Sequence, residues 1–206
     1  SYIDKLRDFA QKNKIYIIAG IEHVDNNEMD LNIQERKYLY KNKAVILGPN
    51  YKFQDNQSFF QEKNIPENFF DGKFDEKTQE SIKKQNPAKI KIFNTPFGSF
   101  MILIGKDITF LKENISYISR ENNLDYIILL KNSPLDENIL KKYQSISDTI
   151  KLPIIMVNTG KFGSTQVFNS QFSKTKNNMK YYEFLQKPFT EGIVNFNITI
   201  NENTNS

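Results

Sequence analysis

The stretch TPFGSFMILIGKDITF, Thr95 to Phe110, runs a tight turn into a wholly apolar strand and stops at Gly105-Lys106-Asp107. A strand buried on both faces reads as continuous hydrophobics, and open α/β folds place their chemistry just beyond the carboxyl ends of such strands. The position to interrogate is therefore Gly105, with the ionisable pair Lys106 and Asp107 directly after it. Asp107 stands at the mouth of the expected pocket, and capping of the following helix is its plainer role. Lys106 beside it implies a pocket that is solvated or filled by pairing with Asp107. Ser99 lies at the far end of the strand and Thr109 beyond its near end, so neither hydroxyl is placed to act as a nucleophile.

Other chemistry-bearing residues are sparse. The chain has one histidine and no cysteine. Disulfides, thiolate zinc sites and a cysteine nucleophile are excluded. His23 follows a strand-like run and reads as a loop histidine; with no second His or Cys beside it, no metal site is expected there. NTGKFGS, Asn158 to Ser164, carries two glycines after a buried strand, but it lacks the spacing of a phosphate loop and opens no helix.

These residues must be positioned by a framework that the apolar pattern outlines. Ile3 to Lys12 places Ile3, Leu6, Phe9 and Ala10 at helical spacing, and Asn13-Lys14 ends it. IYIIAGIE, from Ile15, reads as a strand buried on both faces. KAVILGPNYKF reads as a hairpin, with Gly48-Pro49-Asn50 as the turn and Tyr51 to Phe53 opening the return strand. Asp55 to Pro87 is weakly periodic, punctuated by Phe59, Phe60, Phe69, Phe70 and Phe74, and reads as a long loop with short ordered pieces.

KIKIF, the turn Thr95 to Gly98 and the strand Phe100 to Ile104 come next, followed by a helix over about Phe110 to Asn122 with Leu111, Ile115 and Ile118 on one face. LDYIILLKN is a buried strand. Asp136 caps a helix whose apolar positions are Ile139, Tyr143, Ile146 and Ile150, and LPIIMVNTG is the strand after it. TQVFNS, YYEFL and GIVNFNITI close the chain, the last alternating Val194, Phe196, Ile198 and Ile200 inward as a half-exposed antiparallel strand does. The pattern predicts an α/β sandwich with a mixed sheet, as one domain spanning 1–206.

Composition limits the function classes. The length of 206 residues suits one domain with a sizeable core, and the net charge of +4 is spread among acids and bases along the chain. Arg36 to Lys43, RKYLYKNK, is the densest basic stretch and reads as a solvated connector; no nucleic-acid motif accompanies it. No apolar run approaches the roughly 18 residues that span a bilayer, and no signal peptide opens the chain. The first residue is Ser rather than Met, which implies removal of something upstream.

The stretches FAQKNKIYIIAGIE, NKAVILGPNYKF, FNTPFGSFMILIGKDITF, NNLDYIILLKNSP, SISDTIKLPIIMVNTG and EGIVNFNITI, in that order and spacing, resemble the carbon–nitrogen hydrolase (nitrilase and amidase) family. That resemblance implies an α-β-β-α sandwich and a Glu-Lys-Cys triad, in which a Cys thiolate attacks a carbonyl or nitrile carbon, Glu is the general base and Lys stabilises developing charge. The family's Cys falls on Gly105, which carries no side chain. Aligning QEKNIPENFFDG on Pro66 puts Gln61 at the family's Lys and leaves Lys63 two residues late, roughly 7 Å along a strand. Glu67 matches the family's acidic residue in this loop, where an exposed, solvated Glu is the plainer reading. The general-base Glu would precede Ile3, so the expected fold is the C-terminal portion of the sandwich without its first strand or strands. Asn158-Thr159-Gly160 is similar to the apolipoprotein N-acyltransferase branch of the family, which an N-terminal region embeds in the membrane.

The resemblance and the missing side chain together imply a catalytically inactive nitrilase-like domain with a binding or structural role. The alternative is an amidohydrolase or N-acyltransferase that uses a nucleophile other than Cys or is completed by an N-terminal segment. Lys63, Glu67, Lys106 and Asp107 are the candidate pocket residues, and no cofactor or metal is expected. The expected partners are further copies of the chain or an N-terminal segment of the same protein, with no nucleic acid, a membrane only through an upstream region, and the cytoplasm as compartment.

Overall fold

The computed structural model describes residues 2–24, 40–49, 60–65 and 89–169. The chain divides into two compact units, residues 1–64 and 65–206.

In the first unit, helix α1 (Tyr2–Asn13) precedes strands β1 (Ile17–Val24), β2 (Tyr40–Leu47) and β3 (Phe60–Glu62). Lys14 ends α1 in the left-handed conformation at φ 53°. Ile15 N donates to Ala10 O at 3.1 Å and Lys14 N to Gln11 O at 3.3 Å, which satisfies two carbonyls of the last turn. The sheet order is β1-β2-β3, antiparallel throughout, with Ile17 opposite Leu47, Ala19 opposite Val45 and Val45 opposite Phe60. Those facing residues form one surface of the sheet, and Ile3, Leu6 and Ala10 of α1 pack onto it.

Several expectations change here. The Ile17 to Ile21 run is half-buried apart from an exposed Gly20, not buried on both faces: Ile17, Ala19 and Ile21 pack with Ala10, Val45 and Leu47, and burial of a strand's faces depends on what packs over them, which its own composition does not settle. His23 sits inside β1 opposite Lys41, not in a loop. The basic stretch Arg36 to Lys43, read as a solvated connector, enters β2 at Tyr40, so its second half is strand. β2 also pairs with Phe60–Glu62, a short ordered piece within the stretch read as a long loop with short ordered pieces; Tyr51 to Phe53, read as opening the return strand, lie outside the described residues.

In the second unit, β4 (Ile92–Thr95), β5 (Gly98–Ile104), α2 (Asp107–Phe110), α3 (Lys112–Glu121), β6 (Tyr126–Lys131), α4 (Glu137–Ile150), β7 (Ile154–Asn158) and β8 (Gln166–Phe168) follow in sequence. The strand order is β4-β5-β6-β7-β8. β5, β6 and β7 are parallel, and β4 and β8 pair antiparallel at either side. The expected mixed sheet is therefore present, and its register orders the core in rows. Met101, Ile127, Ile154 and Phe168 align across four strands, as do Leu103, Leu129 and Met156 across three. Ile108, Ile115, Tyr143, Ile146 and Ile150 of the helices, with Leu111 between α2 and α3, pack on these rows. On the opposite face Phe93, Phe100 and Tyr126 stack in register, with ring centroids 5.7 Å and 5.0 Å apart.

Local signals account for most boundaries. Thr95 pairs with Gly98 around a two-residue Pro96-Phe97 loop, and Gly98 at φ 115° takes a backbone conformation that other residues avoid. Asp136 caps α4, its Oδ1 accepting from Ile139 N at 2.8 Å. The helix expected over about Phe110 to Asn122 is α3, which starts at Lys112, and a short α2 precedes it across Leu111. TQVFNS supplies β8; YYEFL and GIVNFNITI lie outside the described residues.

Candidate functional site

The parallel strands β5, β6 and β7 end at one edge of the sheet, and Gly105 opens the turn from β5 into α2. Its N–H donates to Leu130 O at 2.9 Å, adding one rung to the β5–β6 ladder. Its φ is 62°. In this left-handed conformation a Cβ crowds the following carbonyl oxygen, so glycine suits the turn. Lys106, at φ −83° and ψ −7°, is then the N-cap of α2, and its carbonyl accepts from Thr109 N at 3.0 Å and Thr109 Oγ1 at 2.9 Å.

Asp107 has no solvent exposure. It is the first residue of α2, whose N-cap is Lys106 with no capping side chain, so the expected capping role is not the one observed. Its carboxylate instead accepts from Ile65 N at 2.7 Å through Oδ1 and from Ile104 N at 3.2 Å through Oδ2. One oxygen closes the turn onto the end of its own strand, and the other holds a backbone amide 42 positions earlier. Charge-assisted bonds of this kind are what makes a buried carboxylate tolerable. The carboxylate thus accepts from two backbone amides, and Lys106 beside it is half-buried.

The other candidate positions divide between the two units. Gln61, where the resemblance places a Lys, is fully buried in β3 opposite Ala44, and its Nε2 donates to Glu62 O at 2.7 Å. Lys63 is half-buried one step past β3, its N–H donating to Asn42 O at 2.9 Å. These two belong to the first unit, and Gly105, Lys106 and Asp107 to the second. Glu67 and Pro66 lie outside the described residues.

The Ser99 hydroxyl is held within its own end of the sheet. Ser99 Oγ donates to Asn94 Oδ1 at 2.7 Å, and Ser99 N to Asp125 Oδ2 at 2.8 Å. Beside that pair, burial first and the Asp125 charge second push the Tyr126 phenol above its ordinary range, partly offset by a hydrogen bond with Thr95. Tyr126 OH donates to Phe97 O at 3.2 Å. This cluster stands at the end of β5 opposite to Gly105.

A polar cluster at the carboxyl ends of β6 and β7 was only partly legible, through the NTG motif. Asn158, 5 % exposed, donates from Nδ2 to Ser133 O at 3.0 Å and accepts at Oδ1 from Thr159 N at 3.0 Å and Ser133 N at 3.4 Å. Thr159 Oγ1 donates to Asn132 Oδ1 at 3.1 Å. Asn158 thereby pins the β6–α4 loop to the end of β7. The non-local partner Ser133 is what sequence inspection lacks. Chemically, this end of the sheet presents amides and a hydroxyl hydrogen-bonded among themselves, and a buried carboxylate that accepts from backbone amides. Among the described residues no group of three or more His, Cys, Asp or Glu could hold a metal ion, and no helix is long and apolar enough to cross a membrane.

No protein-family model matches this sequence, and no curated protein matches it. Solved structures do. The glutamine-dependent NAD+ synthetase of Acinetobacter baumannii superposes with a TM-score of 0.56 at 19% identity, over 82% of this chain and 30% of that one. The NitN amidase of Nesterenkonia sp. AN1 gives 0.56 at 10% identity, over 81% of this chain and 60% of that one. A mutant of that amidase carrying the acetamide moiety of fluoroacetamide on its active-site cysteine gives 0.54 at 8% identity, over 81% and 58%. The fold is the carbon–nitrogen-hydrolase fold of nitrilase-superfamily amidases, and this chain spans between about a third and three fifths of those proteins.

Proposed function

We propose that this chain is a catalytically inactive carbon–nitrogen-hydrolase-like domain kept for a binding or structural role. The observation that carries the reading is Gly105: the residue aligned with the family's nucleophile is a glycine in a left-handed turn at the end of β5, in a chain without cysteine. Two further features support it. Gln61 offers a neutral amide where the resemblance places an ammonium, and the Asp107 carboxylate is occupied by the amides of Ile65 and Ile104. A general base or nucleophile needs a lone pair that can reach substrate, and Asp107 has no solvent exposure.

The module acts through association, with further copies of the chain or with another segment of the same polypeptide. Large apolar side chains left uncovered support this: Tyr2 and Phe9, seven positions apart on α1, are 74% and 53% exposed, and Ile15 is 41% exposed. The competing reading is an amidohydrolase or N-acyltransferase with a nucleophile other than Cys, or one completed by a further segment.

The test is an assay of the purified chain, and of any longer polypeptide containing it, against a panel of short-chain amides, nitriles and acyl donors. Product no faster than the buffer blank is the expected result. Turnover that disappears in Lys63→Ala or Asp107→Asn, each shown to be folded by circular dichroism, overturns the proposal in favour of the enzyme reading.

A further inference from the structure

We draw no further inference here: the strongest candidate, the polar cluster at the carboxyl ends of β6 and β7 where Asn132, Ser133, Asn158 and Thr159 meet, has its hydrogen bonds made within the cluster, and nothing in the structure points to a ligand for it.

Discussion

The Asp107 carboxylate and the Ile65 amide, 42 positions apart in sequence, meet at 2.7 Å. That bond and its companion to Ile104 N leave two backbone donors dependent on one side chain. Asp107→Ala is expected to lower stability by about 3 kcal/mol, since each buried donor left without a partner costs roughly 1–3 kcal/mol. Asp107→Asn keeps one acceptor and is expected to lose about half as much. Urea unfolding of the three proteins measures both, and an Ala variant as stable as the parent would remove Asp107 from its anchoring role.

Gly105 gives a second prediction, in which backbone strain and chemistry separate. At φ 62° a Cβ costs roughly 1–2 kcal/mol, so Gly105→Ala and Gly105→Cys are expected to destabilise to a similar degree. Gly105→Cys is further expected to hydrolyse no amide or nitrile, because a thiol alone does not supply the general base and ammonium that this chemistry needs. Denaturation midpoints and an amidase assay on the same preparations test the two halves independently.

Gly48, just past β2, faces a packed ring. A Cβ placed there overlaps Tyr16 Cδ1 and Cε1. Gly48→Ala should therefore cost about 1–3 kcal/mol, the usual range for forcing a group into filled space. In the Tyr16→Ala background the same substitution should cost far less, and a double-mutant cycle showing additivity would contradict the clash.

Gln166 carries the opposite expectation. Its Nε2 is buried without a hydrogen-bond partner among the described residues, and the residue stands opposite Met156 in the β7–β8 register. Gln166→Met preserves length and removes the orphaned donor, so a gain of about 1 kcal/mol is expected. A calorimetric melting temperature below that of the parent would show that the amide is paired in solution.

Tyr126 sets an alkaline limit. Its folded-state pKa is raised by burial and by Asp125, so above the ordinary tyrosine value of about 10 the unfolded chain releases a proton that the folded chain retains. The folded state binds more protons there, and stability falls as pH rises from about 10 towards the folded pKa. Tyr126→Phe should lose a little stability at neutral pH with the bond to Phe97 O, and should show a shallower decline between about pH 9.5 and 11. Equal slopes in the two proteins would assign the alkaline loss to other groups.

The sequence alone determined what depends on composition and on near neighbours. The absence of cysteine excludes a thiolate whatever the fold. The apolar run Phe100 to Ile104 is a buried strand because only a two-sided environment suits it. Asp136 caps α4 because its partner, Ile139 N, is three residues away. Tertiary structure decided the rest. Whether Ile17 to Ile21 is buried on one face or both depends on what packs over the strand, which its own composition does not encode. Whether Asp107 caps, catalyses or anchors depends on which amides reach it, and Ile65 arrives from a distant segment. Local preferences act over about one turn or one hairpin, so they settle the type of each element; the destination of a side chain is set by pairings whose partners are remote along the chain.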